Sequence, residues 1–341
     1  MPVPQGLVRL LQPRRVIETH AAYVFLNDTH AYKLRRTART PFADNLDVAS
    51  RLKGCKAEIA VNRALAPHVY LGLKAVVRNP AGQVDLVDAP DDLPHNLPDA
   101  PAGDRTQPID WLVVMRRLPD DRLLDRMLAR GERPTPGDLD ALAALLTPFY
   151  RHHRAKPTDR GRYLERLRHE GLLNERHLLC WEGALGPDGR ALCAEALRRL
   201  DLAADEIAAR EAAGLVVDGH GDLRPEHVCL TDPPVIFDRV EFSKLVRLVD
   251  VHDEIGFLGL EARLMGDASL GPDLAARLVT AGFPTPSPPL LATYALNRCL
   301  TRARLTIDHL LDADPRTPAK WPARAMAYVD EARRIVAATD A

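Results

Sequence analysis

The feature that most constrains this chain is a change of character at Pro119. Before it, extended and helical patterns alternate. After it, almost every segment has helical periodicity, apart from one β-rich island at residues 214–242. In the first part, "RRVIETH" and "AAYVFLN" are rich in β-branched and aromatic residues, and Asn27-Asp28 makes a hairpin turn before "HAYKLRR". "LDVASRLKGCKAEIAVNRAL", residues 46–65, carries Leu46, Leu52, Ile59 and Leu65 among charges, which predicts one amphipathic helix ending before Pro67. Strands are expected at "YLGLKAVVR" and "VDLVD", and "IDWLVVMRRL" is apolar enough for a buried strand. Residues 89–107, rich in Pro, Asp and Gly, read as a solvated loop. The class expected is therefore α+β: a small sheet-rich unit with one long helix over residues 1–117, then a larger, mainly helical unit over 118–341.

Charge excludes some functions. The 341 residues have a formal net charge of −1, so no global field favours nucleic acid or an anionic membrane. The five cysteines form no CxxC pair, no apolar run reaches the length of a membrane span, and the N-terminus has no apolar signal core. A reducing cytoplasm is the expected setting.

The chemistry lies in the island, "GHGDLRPEHVCLTDPPVIFDRVEF", residues 219–242. Asp222 ends one loop and Asp238 ends the hairpin that follows, so two carboxylates distant in sequence can serve one reaction. Phosphoryl transfer needs such a pair: one orients and deprotonates the attacking hydroxyl, and the other holds a divalent metal on the nucleotide phosphates. The pattern H-R-D-L-x-x-x-N places a metal ligand five residues after the base. Here the frame reads His220-Gly221-Asp222-Leu223-Arg224-Pro225-Glu226-His227. An imidazole therefore stands where an amide oxygen is usual, a poorer partner for Mg²⁺ and a better one for Mn²⁺ or Zn²⁺.

Taken in order, "ETHAAYVFLNDTHAYKLRR", "CKAEIAVNRALAPHVYLGL", "GHGDLRPEHVCL" and "VIFDRVEFSKLVRLVDVHDEIGFL" resemble the phosphotransferase family of aminoglycoside and choline kinases. They are similar in particular to the bacterial module of that family often fused to a P-loop ATPase domain; no GxxxxGK[ST] occurs in this sequence. The resemblance implies a bilobal protein-kinase-like fold and transfer of the γ-phosphate of ATP, with Mg²⁺ or Mn²⁺, to a hydroxyl of a small molecule. It implies that Lys33 contacts nucleotide phosphates and that Glu58 orients that lysine. Asp222 would be the base, Asp238 the metal ligand, and Asp250 a brace for the loop. The strand containing Met115 would become the linker whose backbone faces adenine.

Several residues keep two readings. His227 is either a metal ligand or a hydrogen-bonded structural histidine, and His220 is expected to anchor the loop. Arg224 either meets a phosphate or pairs with Glu226. Asp253, Glu254 and Glu261 form either the acidic wall of an acceptor pocket or a solvated helix face. No glycine-rich loop lies between "VIETH" and "AAYVF", where Thr19 and His20 stand, which means few backbone amides for phosphate. That departure and His227 support an alternative, a nucleotide-binding regulator with little or no turnover.

Overall fold

The computed structural model describes residues 3–19, 21–38, 45–89, 107–312, 315 and 317–339. His20 and most of the loop expected at 89–107 lie outside these residues. The elements in chain order are α1 (Val3–Leu11), β1 (Arg15–Glu18), β2 (Ala22–Leu26), β3 (His30–Arg35), α2 (Val48–Asn62), β4 (Tyr70–Arg78), β5 (Val84–Asp88) and β6 (Asp110–Arg116). Then come α3 (Leu124–Ala129), α4 (Pro136–His152), α5 (Arg162–Leu178), α6 (Glu182–Leu185), α7 (Gly189–Leu202), α8 (Ala204–Ala212), β7 (Val216–Asp218), β8 (Val228–Cys229) and β9 (Val235–Ile236). The chain ends with α9 (Lys244–Arg247), β10 (Leu248–Asp250), α10 (Val251–Leu264), α11 (Leu270–Thr280), α12 (Pro288–Ile307) and α13 (Lys320–Thr339).

These elements form two compact units, Met1–Leu123 with Val235–Lys244, and Leu124–Pro234 with Leu245–Ala341. The expected boundary at 117 differs from this division chiefly because residues 235–244 pack with the first unit.

In the first unit, six strands form an antiparallel sheet in the order β1-β2-β3-β6-β4-β5. The Asn27 turn works as its sequence suggests, its Oδ1 accepting from the backbone N–H groups of Thr29 and His30 at 3.1 and 2.7 Å. Strand β6 is central, and both of its faces are covered, which explains its continuous apolar run. Trp111, Val113 and Met115 face α2 with Leu52, Cys55 and Ile59. Leu112 faces the other way, into a cluster with Leu7 of α1, Phe25, Leu34 and Val76. Helix α1 was not anticipated from the sequence. Helix α2 is shorter than expected, starting at an Asp47 N-cap that accepts from Ser50 N–H at 2.6 Å.

The second unit is helical around one small antiparallel pair, β7 with β10. One of its cores joins α7, α10, α12 and α13 through residues such as Leu192, Phe257, Leu300 and Tyr328. Among the described residues, no helix is long and apolar enough to cross a membrane. The α+β class and the division into a sheet-bearing N-terminal part and a larger helical part are as the sequence predicted.

Candidate functional site

The first unit holds a chain of alternating charges. Along β3, Lys33 and Arg35 are two residues apart and so share the face toward α2. Glu58 sits on the buried face of α2 and is fully buried. It receives both cations, with Lys33 Nζ 2.8 Å from one carboxylate oxygen and Arg35 Nη2 2.7 Å from the other. Lys33 also reaches Asp238 Oδ1 at 2.9 Å, and Arg35 reaches Glu241 Oε1 at 2.6 Å. The series runs Asp238–Lys33–Glu58–Arg35–Glu241. Gly54 makes room for it, since a Cβ there would lie 3.0 Å from the Arg35 guanidinium carbon.

The segment bearing Asp238 is pinned by its backbone. Asn62 Oδ1 accepts from Arg239 N–H at 2.7 Å, and the Asp238 N–H donates to Tyr70 Oη at 3.1 Å. Asp238 has φ of 60°, a left-handed conformation that aspartate tolerates better than most residues. Burial works against the Lys33 ammonium, but Asp238 and Glu58 outweigh it and hold Lys33 well above the usual lysine range. Lys33 therefore stays charged. Met115 lies within β6, paired to both Ala31 and Tyr70, with its side chain in the core.

In the second unit, the loop after β7 carries the other candidates. Its two glycines are required by close approach. A Cβ on Gly219 would meet Val249 Cγ2 at 2.6 Å and both Glu254 carboxylate oxygens at 2.8 Å. Gly221 has φ of 88° and lies against the backbone of Arg247 and Val246. Buried Glu254 accepts from the Gly221 N–H at 2.8 Å and from the Tyr150 hydroxyl at 2.9 Å. Asp250, the expected brace, caps α10 and pairs with both Nε and Nη2 of Arg210, at 2.5 and 2.9 Å. Sequence reasoning missed the contribution of Glu254. The signal available was an acid one helical turn past Asp250.

Asp222 is one-third exposed and pairs with Arg224, whose Nε and Nη2 lie 3.0 and 2.9 Å from its Oδ2. The same guanidinium holds Glu226 through Nη1, so Arg224 does make the pair with Glu226 that its sequence position allowed. Burial opposes ionisation of Asp222, but Arg224, His227 and Arg302 prevail and hold its carboxyl below the usual aspartate range. His227 Nδ1 donates to the Asp222 carbonyl at 2.8 Å, and its ring stacks on buried His220 with centroids 5.5 Å apart. When this imidazole is neutral, the tautomer leaves the lone pair on Nε2.

The α10 acids are neither solvated nor an open acidic wall: Asp253, Glu254 and Glu261 are only 1, 1 and 4% exposed. Burial of carboxylates demands partners. Arg298 takes both oxygens of Asp253, at 2.8 and 2.7 Å, and Tyr163 adds its hydroxyl at 2.9 Å. Glu261 is held by the Tyr328 hydroxyl, at 2.8 and 3.0 Å, and by Arg302 Nε at 3.2 Å.

Among the described residues, no three His, Cys, Asp or Glu side chains converge where a metal could be held by protein alone. Mg²⁺ bound through one or two carboxylates and substrate phosphates does not need such a cluster, and the Asp238 carboxylate, 43% exposed, offers the oxygen chemistry it prefers.

No protein-family model matches the chain. An uncharacterized protein of Mycobacterium tuberculosis (strain H37Rv) and one of Mycobacterium bovis are each 28% identical over 322 residues, covering 89% of this chain and 57% of the relative. The chain thus spans little more than half the length of those relatives. Among solved structures, the GDP and kanamycin complex of APH(2")-IIia aligns with 97% of this chain and 98% of its own, at 13% identity and a TM-score of 0.49. Spectinomycin phosphotransferase APH(9)-Ia with ADP and spectinomycin aligns over 98% of each chain, at 11% identity and a TM-score of 0.49. At this distance the functional reading rests on the chain's own residues.

Proposed function

We propose that the protein is an ATP-dependent phosphotransferase that moves the γ-phosphoryl group to a hydroxyl of a small molecule. The observation that carries this reading is the contact of Lys33 with both Glu58 and Asp238. A strand lysine fixed by a buried helix glutamate, next to a half-exposed aspartate, is a phosphate contact beside a metal ligand. Asp238 would hold Mg²⁺ or Mn²⁺, which when bound neutralises charge on the transferring phosphate oxygens. Lys33 keeps its proton and offers a fixed positive charge to the phosphates.

Asp222 is the group for the acceptor hydroxyl. Its depressed pKa keeps it ionised, so it orients the hydroxyl and takes its proton late, when the oxygen has become acidic. Arg224 limits the basicity of Asp222 and can neutralise charge as the phosphoryl group arrives. His227, by holding the Asp222 carbonyl, fixes the loop. Its Nε2 is the nitrogen on which a metal would sit if it takes part.

The test is thermal unfolding with ATP and Mg²⁺, Mn²⁺ or no metal, in wild type and Asp238→Asn. Nucleotide at about a hundred times Kd should stabilise the wild type by ~2.7 kcal/mol, with the gain lost in the variant. No shift with any nucleotide and metal would end this reading. Binding without phosphorylation of any acceptor would favour the regulatory alternative, for which the replacement of an amide by His227 is the supporting observation.

A further inference from the structure

The reading above leaves the acceptor undefined, and the second unit carries information about it. Arg298 and Arg302 lie one turn apart on the same face of α12 and meet the buried acids of α10. They are used differently. Arg298 gives the Nε and Nη2 edge of its guanidinium to both oxygens of Asp253, which completes a bidentate pair. Arg302 gives Nε, at 3.2 Å, to one oxygen of Glu261, whose carboxylate also accepts from the Tyr328 hydroxyl. Among the described residues, no second carboxylate pairs with Arg302, and its side chain keeps 14% of its exposure.

Two aromatic rings flank that guanidinium, one of them shared with Arg298, whose carbon stands 4.8 Å from the Phe257 ring centre. The Arg302 carbon stands 6.0 Å from the Phe257 ring centre and 5.7 Å from that of Tyr328. A guanidinium is a planar fork that matches a carboxylate or phosphate. Arg302 is also close enough to Asp222 to be among the cations that hold that carboxylate ionised. Meanwhile, the three α10 acids, Asp253, Glu254 and Glu261, are buried with hydrogen-bond partners.

We propose that Arg302 docks an anionic group of the acceptor, a carboxylate or a phosphate, so that the substrate is a hydroxy acid or a phosphorylated alcohol and not a polycation. This rests on Asp222 serving the acceptor hydroxyl. Arg302 anchors the anionic end while Asp222 takes the hydroxyl proton, and Arg298 remains a structural cation.

The test is thermal unfolding of the full chain in D-glycerate, glycerol 3-phosphate, glycerol or spermidine, each without nucleotide, for wild type, Arg302→Gln and Arg302→Lys. A separate arm with ATP and Mg²⁺ reports nucleotide binding and the folding of each variant. The expected result is stabilisation by one or both anionic probes, with at least tenfold weaker apparent affinity in Arg302→Gln and partial recovery in Arg302→Lys. Which anion protects decides between carboxylate and phosphate. Equal protection of Arg302→Gln, protection by spermidine alone, or no protection by either anion would overturn the proposal. Failure of the ATP arm with anion protection intact would instead remove the kinase reading and leave the anion site standing.

Discussion

The two units hold their candidate groups by different physics. In the first, every side chain of the series Asp238–Lys33–Glu58–Arg35–Glu241 is charged and is positioned by a charge of opposite sign. In the second, the loop around Asp222 is held through its backbone, by Glu254 at Gly221 and by His227 at the Asp222 carbonyl, and by the lack of Cβ atoms at Gly219 and Gly221. The first arrangement positions its cations by charge and should tolerate small shape changes but not loss of charge. The second fixes the loop backbone by steric fit, with Arg224 pairing the carboxylate, and its fold should tolerate nearby charge changes better than an added methyl group.

The largest effect expected is on turnover. Asp222→Asn should lower kcat by about 10²–10⁴ while the nucleotide-dependent rise in Tm stays intact. Loss of both together would mean that Asp222 belongs to the nucleotide site, and the contrast between the units would fall. Next comes Arg35→Met. Arg35 is 8% exposed and faces Glu58, at 1%, and Glu241, at 14%, so its removal deprives Glu241 of this partner and leaves Glu58 with Lys33 alone. Breaking such a pair should cost about 3–5 kcal/mol and weaken nucleotide stabilisation by releasing Glu58. A change under about 1 kcal/mol in denaturant unfolding would show that the series is screened by water and is no framework.

Much of the first unit is legible because its signals are local. The Asn27 turn, the apolar run of β6 and the period of α2 each lie within one stretch of sequence. The loop at 219–227 is equally local, and its glycines mark a tight turn. What could not be read is who pairs with whom. Arg35 shares a strand face with Lys33, yet its bond to Glu241 joins residues 206 positions apart. The α10 acids read equally well as a solvated face or an acidic wall, because Arg298 and Arg302, which pair with Asp253 and Glu261, come from a later helix. That Glu254 supports the loop could not be read either, since only folded geometry shows which carboxylate reaches the Gly221 N–H.

Gly219→Ala tests the steric side of the comparison. Its Cβ would enter space held by Val249 and Glu254 at 2.6 and 2.8 Å. Overpacking of this kind costs about 1–3 kcal/mol. Turnover should fall with little change in nucleotide affinity, because the displaced loop carries Asp222 and not Lys33. A variant with wild-type stability and kcat would show that the loop relaxes freely.

The smallest effect, and the sharpest, is in pH dependence, where the units should respond at opposite ends. Lys33 is held above the lysine range despite burial, so its stabilisation is complete below the ordinary value of about 10.4 and is lost as pH rises through the raised one. Asp222 is held below the aspartate range, so its contribution is present above about 3.9 and is lost as pH falls through the depressed value. Burial alone would raise Asp222, and Arg224 leads the cations that oppose it. Arg224→Gln should therefore raise the Asp222 pKa and move the acid limb of kcat to higher pH, leaving the alkaline loss of stability where it was. The measurement is kcat against pH at saturating nucleotide, with unfolding followed over the same range. If the acid limb does not move, His227 and Arg302 suffice to keep Asp222 ionised. If the alkaline side moves too, the charges of the two units are coupled.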